Sequence, residues 1–170
     1  GLTWIDQHAL RDAMREWPSF SWLVPKSVRA DDDRVVVYSV DPATNASVHN
    51  YTLSEVSALL TLAGADAAAD MQADMLASYT TQEDPGVKVH CWFTENMPTE
   101  YAYVINDGDV ESDPLYKIMG LGDGTGDANS LSVCRGWENA VVETFDAVCH
   151  SCFLTNATVV NRIVGMVTSA

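Results

Sequence analysis

Apolar residues recur at helical spacing near the start of the chain. Ala9, Leu10, Ala13, Met14 and Trp17 share one face of a helix over residues 6–17. Pro18 stops that helix, because its ring clashes with the preceding turn. Residues 19–25 are aromatic-rich and read as extended. Asp31, Asp32 and Asp33 form a solvated turn, and the β-branched run RVVVYSV at 34–40 reads as a strand. Thr52-Leu53-Ser54-Glu55 is a capping box, which predicts a helix to Ala63 with Gly64 as its stop. A second helix over 66–79 carries Asp66 and Asp70 near its positive end. Residues 87–93 alternate and read as a strand, and 101–105 as another. Residues 120–130 form a Gly/Asp loop, 131–137 a short helix, 141–145 a strand and 155–168 a last amphipathic helix.

Strands and helices alternate through the second half. That predicts an α/β fold, with a partly parallel sheet flanked by helices. Two or three buried strands are too few for a free-standing doubly wound sheet, so part of the sheet is expected elsewhere. There is no internal repeat and no Pro/Gly/Ser linker to divide residues 1–170. The chain opens on Gly1, with neither Met nor a basic-then-apolar leader, and reads as a processed product or a piece of something longer.

Composition narrows the partners. The chain has 170 residues, with 24 Asp plus Glu against 9 Lys plus Arg, a net charge of −15. Phosphate contacts need clustered Lys and Arg, which excludes nucleic acid and polybasic adsorption to anionic membranes. At 47% hydrophobic, with five Trp, it is no disordered acidic tail. The longest apolar stretch, 57–69, is broken by Asp66 and falls short of a transmembrane span. Asn45, Asn50 and Asn156 head three Asn-x-Ser/Thr sequons, and the cysteines number four. Sequons and an even cysteine count together predict a secretory-pathway glycoprotein with disulfides. The acidic balance suits an acidic compartment in which Asp and Glu are partly protonated.

Three groupings carry candidate chemistry. Gly122-Asp123-Gly124-Thr125 sets an acid on a tight glycine turn, and His150 lies beyond the last strand. These are the last two members of a Ser–Asp–His relay in chain order, in which the carboxylate orients an imidazole that shuttles the serine proton. Asp127 is a rival acid. No Gly-x-Ser-x-Gly occurs and no serine has the glycine flanks of a nucleophile turn. Cys149-His150-Ser151-Cys152 has the spacing of a thiol–disulfide exchange motif, or of a structural bridge. His90, Cys91, Cys134, Cys149, His150 and Cys152 include zinc-ligand types, but only the Cys149–Cys152 spacing is ligand-like. Asp107, Asp109, Glu111 and Asp113 alternate like the start of a calcium loop but lack its glycine and distal Glu, and read as a solvated turn.

From about Arg11 to its end, the chain resembles the C-terminal part of the lecithin:cholesterol acyltransferase and lysosomal phospholipase A family. The motifs are collinear. Ser19-Phe20-Ser21-Trp22-Leu23-Val24-Pro25 is similar to the family's Ser-x-Trp-Leu-Leu-Pro segment, and Asn50-Tyr51-Thr52 to its Asn-Tyr-Thr-Leu segment. Gly86-Val87-Lys88-Val89-His90-Cys91 looks like its cysteine-bearing strand. Gly122-Asp123-Gly124-Thr125, then Ser130-Leu131-Ser132-Val133-Cys134 and Trp137, is similar to its acid loop and the helix behind it. His150 followed by Leu154-Thr155-Asn156-Ala157-Thr158 is similar to its histidine segment and sequon. Gly126 stands where the family usually has Val, and the cysteines around His150 are unusual.

The resemblance implies the C-terminal portion of an α/β-hydrolase domain over 1–170, incomplete without an N-terminal partner. Its acid loop would lie at about 120–130 and its histidine loop at about 146–154. Asp123 would be the triad acid, His150 the base, and Cys91 and Cys134 a disulfide, leaving Cys149 and Cys152 as an extra pair that can bridge beside the base. The implied function is that of a subunit or fragment of a serine-type lipid acyl hydrolase or O-acyltransferase. It would act on glycerophospholipid esters at a lipid surface, in a lysosomal, vacuolar or extracellular setting. The serine would come from the N-terminal half or a separate chain, with no metal and no cofactor. The alternative is a non-catalytic relative that serves as a structural or binding subunit.

Overall fold

The computed structural model describes residues 7–15, 17–27, 32–78 and 83–168. They fall into two units, 1–82 with 102–116, and 83–101 with 117–170.

The first unit begins with α1 (Gln7–Arg15) and α2 (Pro18–Leu23). The second helix corrects the extended reading of 19–25. Proline is tolerated at the first helical position, where its missing N–H has no partner in any case, so Pro18 ends one helix and starts the next. Strand β1 (Val35–Val40) follows. It turns through Asp41, whose carboxylate accepts from the Ala43 and Thr44 amides at 2.8 and 2.9 Å. Asn45 takes the left-handed conformation there, at φ 60°. The chain returns antiparallel as β2 (Ser47–Thr52). This strand had no apolar stripe to announce it. Most of it is exposed, as an edge strand allows. Glu55 accepts from the Thr52 amide at 3.0 Å, and a turn of 3₁₀ helix leads into α3 (Val56–Leu62). Gly64, at φ 68°, separates it from α4 (Asp66–Ser78). The chain comes back as the second half of β4 (Met97–Asn106), parallel to β1, with Val37 opposite Tyr103. Val36, Leu53 and Val56 form the core of this unit, with Val24 and Leu60 packed against them.

The second unit is built on a parallel pair, β3 (Val89–Phe93) and β6 (Ala140–Thr144), with Val89 opposite Ala140 and Phe93 opposite Thr144. The first half of β4 also belongs here, with β5 (Tyr116–Gly122) beside it. Strand β5 runs into what the glycines had suggested was loop. Gly120 is needed there, because a Cβ would press on the Tyr101 ring at 3.2 Å. The expected helix over 131–137 is α5 (Ala128–Leu131) followed by a 3₁₀ turn over Val133–Gly136. Helix α6 (Ala157–Thr168) closes the unit. Phe145, Val148 and Val159 are its buried core, with Trp92 and Phe153 packed against them. The Phe145 ring meets those of Trp92 and Phe153 edge-on, each at 5.5 Å.

The chain is therefore mixed α/β with parallel pairing, on six strands among the described residues where the sequence named four. Among those residues no helix is long and apolar enough to cross a membrane.

Asn156 caps α6, its side-chain oxygen accepting from the Thr158 and Val159 amides at 2.9 and 3.3 Å. Asn156→Ala should cost about 1 kcal/mol in chemical denaturation, whereas Asn156→Asp, which keeps the acceptor, should cost little.

Candidate active site

The acid loop starts where β5 ends. The Asp123 amide donates to the Gly126 carbonyl at 3.2 Å, closing a turn in which Gly124 stands at φ 89°. One carboxylate oxygen of Asp123 accepts from the Thr125 and Gly126 amides at 3.0 and 2.8 Å. Gly122 makes that turn possible. A Cβ there would sit 2.0 Å from the Gly126 carbonyl oxygen and 2.7 Å from Thr99 Oγ1. Thr99, only 1% exposed, accepts from the Gly124 amide at 2.9 Å and donates to the Met97 carbonyl. Nothing in the sequence singled out Thr99.

The histidine loop follows β6. Val148 is anchored in the core, Cys149 is extended, and His150 opens a 3₁₀ helix running to Thr155. The His150 amide donates to the Asp123 carbonyl at 2.9 Å. Its Nδ1 lies 2.8 Å from the free Oδ2 of Asp123. The two predicted residues are thus brought together twice, through main chain and side chain. The Asp123 side chain is 7% exposed and that of His150 58%. Burial pushes the Asp123 carboxyl up, but the Gly126 amide, His150 and the Thr125 amide outweigh it and hold the acid below its ordinary value. An ionised carboxylate at Nδ1 selects the tautomer protonated there, which leaves the Nε2 lone pair on the more exposed side chain.

The other candidates are placed elsewhere. Asp127, the rival acid, caps α5 by accepting from the Asn129 and Ser130 amides. Cys91 is bonded to Cys134 and Cys149 to Cys152, so none offers a thiolate to a metal. No group of three potential metal ligands lies together among the described residues. Asp107 accepts from the Ser39 hydroxyl, Asp109 from the Glu111 and Ser112 amides, and Glu111 pairs with Arg11 and Arg15. Three of the four acids thus have partners within their own unit. Asn45 and Asn50 are exposed, in the turn before β2 and on that strand.

The chain is 24% identical over 139 residues to a phosphatidylcholine-sterol acyltransferase of Gallus gallus, covering 82% of this chain and 32% of that protein. It is 29% identical over 130 residues to a lysosomal phospholipase A and acyltransferase of Mus musculus, covering 76% and 29%. To the Rattus norvegicus protein of the same name it is 28% identical over the same length. The chain is related to these acyltransferases. It spans about a third of the length of the curated relatives it matches. No protein-family model matches it.

Two outcomes follow from the acid turn. A carboxyl with a depressed folded pKa adds stability that is complete above its unfolded value, about 3.9, and is lost as pH falls through the folded value. Asp123→Asn should therefore lower the melting temperature at pH 6, and the gap from wild type should close as acidification passes through the lowered folded value of Asp123. Gly122→Ala should lower the melting temperature at every pH, since the added carbon meets backbone rather than a movable side chain.

Proposed function

We propose that Asp123 and His150 are the acid and base of a Ser–Asp–His lipid acyl hydrolase or acyltransferase, with the serine on a segment or companion chain outside these 170 residues. The 2.8 Å contact between Nδ1 and Oδ2 carries the reading. A non-catalytic scaffold has no need of a buried carboxylate aimed at an exposed imidazole, and the contact favours the catalytic alternative. Relatives named for acyl transfer supply the substrate class, a glycerophospholipid ester.

In the proposed cycle the serine oxygen attacks the ester carbonyl while Nε2 of His150 takes its proton. The imidazolium is stabilised by ionised Asp123 and passes the proton to the departing alcohol as the acyl-enzyme forms. Water, or an alcohol such as a sterol, then gives a proton back to Nε2 and takes the acyl group. The serine is regenerated.

Packing supports a missing portion of sheet. Parallel strands are stable with both faces covered. In the second unit Val141 and Val142 of β6 are 44% and 37% exposed, and Val160, Ile163, Val164 and Val167 of α6 are open to solvent. We assign these faces to contact with the portion that carries the nucleophile. Two disulfides support an oxidising, secretory-type setting, and we assign the protein to a lysosomal, vacuolar or extracellular compartment with carbohydrate on Asn45, Asn50 and Asn156.

A serine-directed phosphonate applied to the native protein tests the reading. Labelling of a serine outside residues 1–170 is expected, with turnover of a phospholipid ester falling roughly 10⁴-fold in Asp123→Asn. The 170 residues alone should show no turnover. Unlabelled native protein, or turnover by the 170 residues alone, overturns the assignment.

A further inference from the structure

The Cys149–Cys152 bridge brackets the residue on which the candidate site turns. Cys149 precedes His150 directly, and Cys152 lies one turn on. The same short segment is closed a second time by the Cys152 amide donating to the Cys149 carbonyl at 2.9 Å. The Cys152 carbonyl in turn accepts from the Asn156 amide and the Thr155 hydroxyl, which joins the bridge to the cap of α6.

The two disulfides differ in reach. The stabilisation a bridge gives the whole fold grows with the loop it closes. Cys91–Cys134 closes a separation of 43 residues and has Cys134 buried, at 3% exposure. Cys149–Cys152 closes a separation of 3, and Cys152 is exposed. The second bridge adds little to global stability and is open to a dissolved thiol. What it does fix is the backbone on both sides of His150, whose ring is more than half exposed and rests on the buried Asp123 through one side-chain contact.

We propose that the Cys149–Cys152 disulfide is the positioning element for His150, and that a dithiol reductant opens it selectively and uncouples His150 from Asp123. The inference builds on the catalytic reading above. In the step, a reductant thiolate attacks one sulfur and the Cys149–Cys152 bond breaks. The second reductant thiol then displaces the mixed disulfide. The protein gains two protons and two electrons as a pair of thiols, and the reductant leaves as its own disulfide. The site would thus work in an oxidising compartment and fall idle in a reducing one.

Carbethoxylation of His150 by diethyl pyrocarbonate, read by mass spectrometry on the native protein, tests this without an activity assay. With Nδ1 held by Asp123, His150 should take one adduct, at Nε2. Asp123→Ala, which leaves nothing on Nδ1, calibrates the freed ring, which takes a second. Low dithiol should cap Cys149 and Cys152 with maleimide while Cys91 and Cys134 stay bonded, and the second adduct should rise by about tenfold, since the segment then opens locally. Reoxidation should reverse it. The double variant Cys149→Ser, Cys152→Ser should match the reduced protein, with a melting temperature near that of wild type. A single adduct after selective reduction overturns the proposal, as does opening of Cys91–Cys134 first or together with the other bridge. If the double variant fails to fold, the reduced wild type still decides. Because phosphonate labelling reads the nucleophile and this footprint reads the Nδ1 contact, failure of one is distinguishable from failure of the other.

Discussion

Asp123 ties two stretches of chain to one point. Its side chain accepts from the two amides of its own turn, its carbonyl accepts from the His150 amide, and its remaining oxygen meets the imidazole. A buried carboxylate is costly unless its lone pairs are filled, and here every filling group is also a group that must be positioned. The arrangement depends on a space too small for a methyl group. Gly122 has the Gly126 carbonyl and the Thr99 hydroxyl where a side chain would begin. The placement of His150 is thus decided at a glycine that does not touch it.

Much of the fold was legible in the sequence because single periods run cleanly through it. Helices α1 and α6 and strand β3 follow their apolar spacing, α4 its acidic start and β1 its β-branched run, and all lie close to where they were expected. The misses have physical causes. Strand β2 lies at an edge and needs no apolar stripe, and the sequence did not reveal it; its turn is made by Asp41 and Asn45. Strand β5 carries glycines that admit the Tyr101 ring and the acid turn, and these read as loop. In the site, Asp123 and His150 stood out by type and by resemblance. Their contact did not, since 27 residues separate them. Thr99 was invisible, because one threonine in a strand carries no pattern.

Twenty-four acids cannot find cationic partners among nine bases, and the structure gives many of them other work. Asp41, Asp84 and Asp109 accept from main-chain amides in turns and Asp33 from the distant Ser54 amide, and those bonds lead the causes that hold their carboxyls below the ordinary value. Such groups stay ionised in mild acid. Partial protonation in mild acid therefore does not describe these four carboxylates. They keep their charge there, and their contribution is lost only as pH falls through their lowered values.

Asn156 has two functional ends. Its oxygen is committed to the amides that start α6, while its nitrogen is the atom that would carry carbohydrate. Thr158, which completes the sequon, is exposed in the first turn of α6. A sugar on that nitrogen would therefore stand at the very start of the helix that closes the core around Val159.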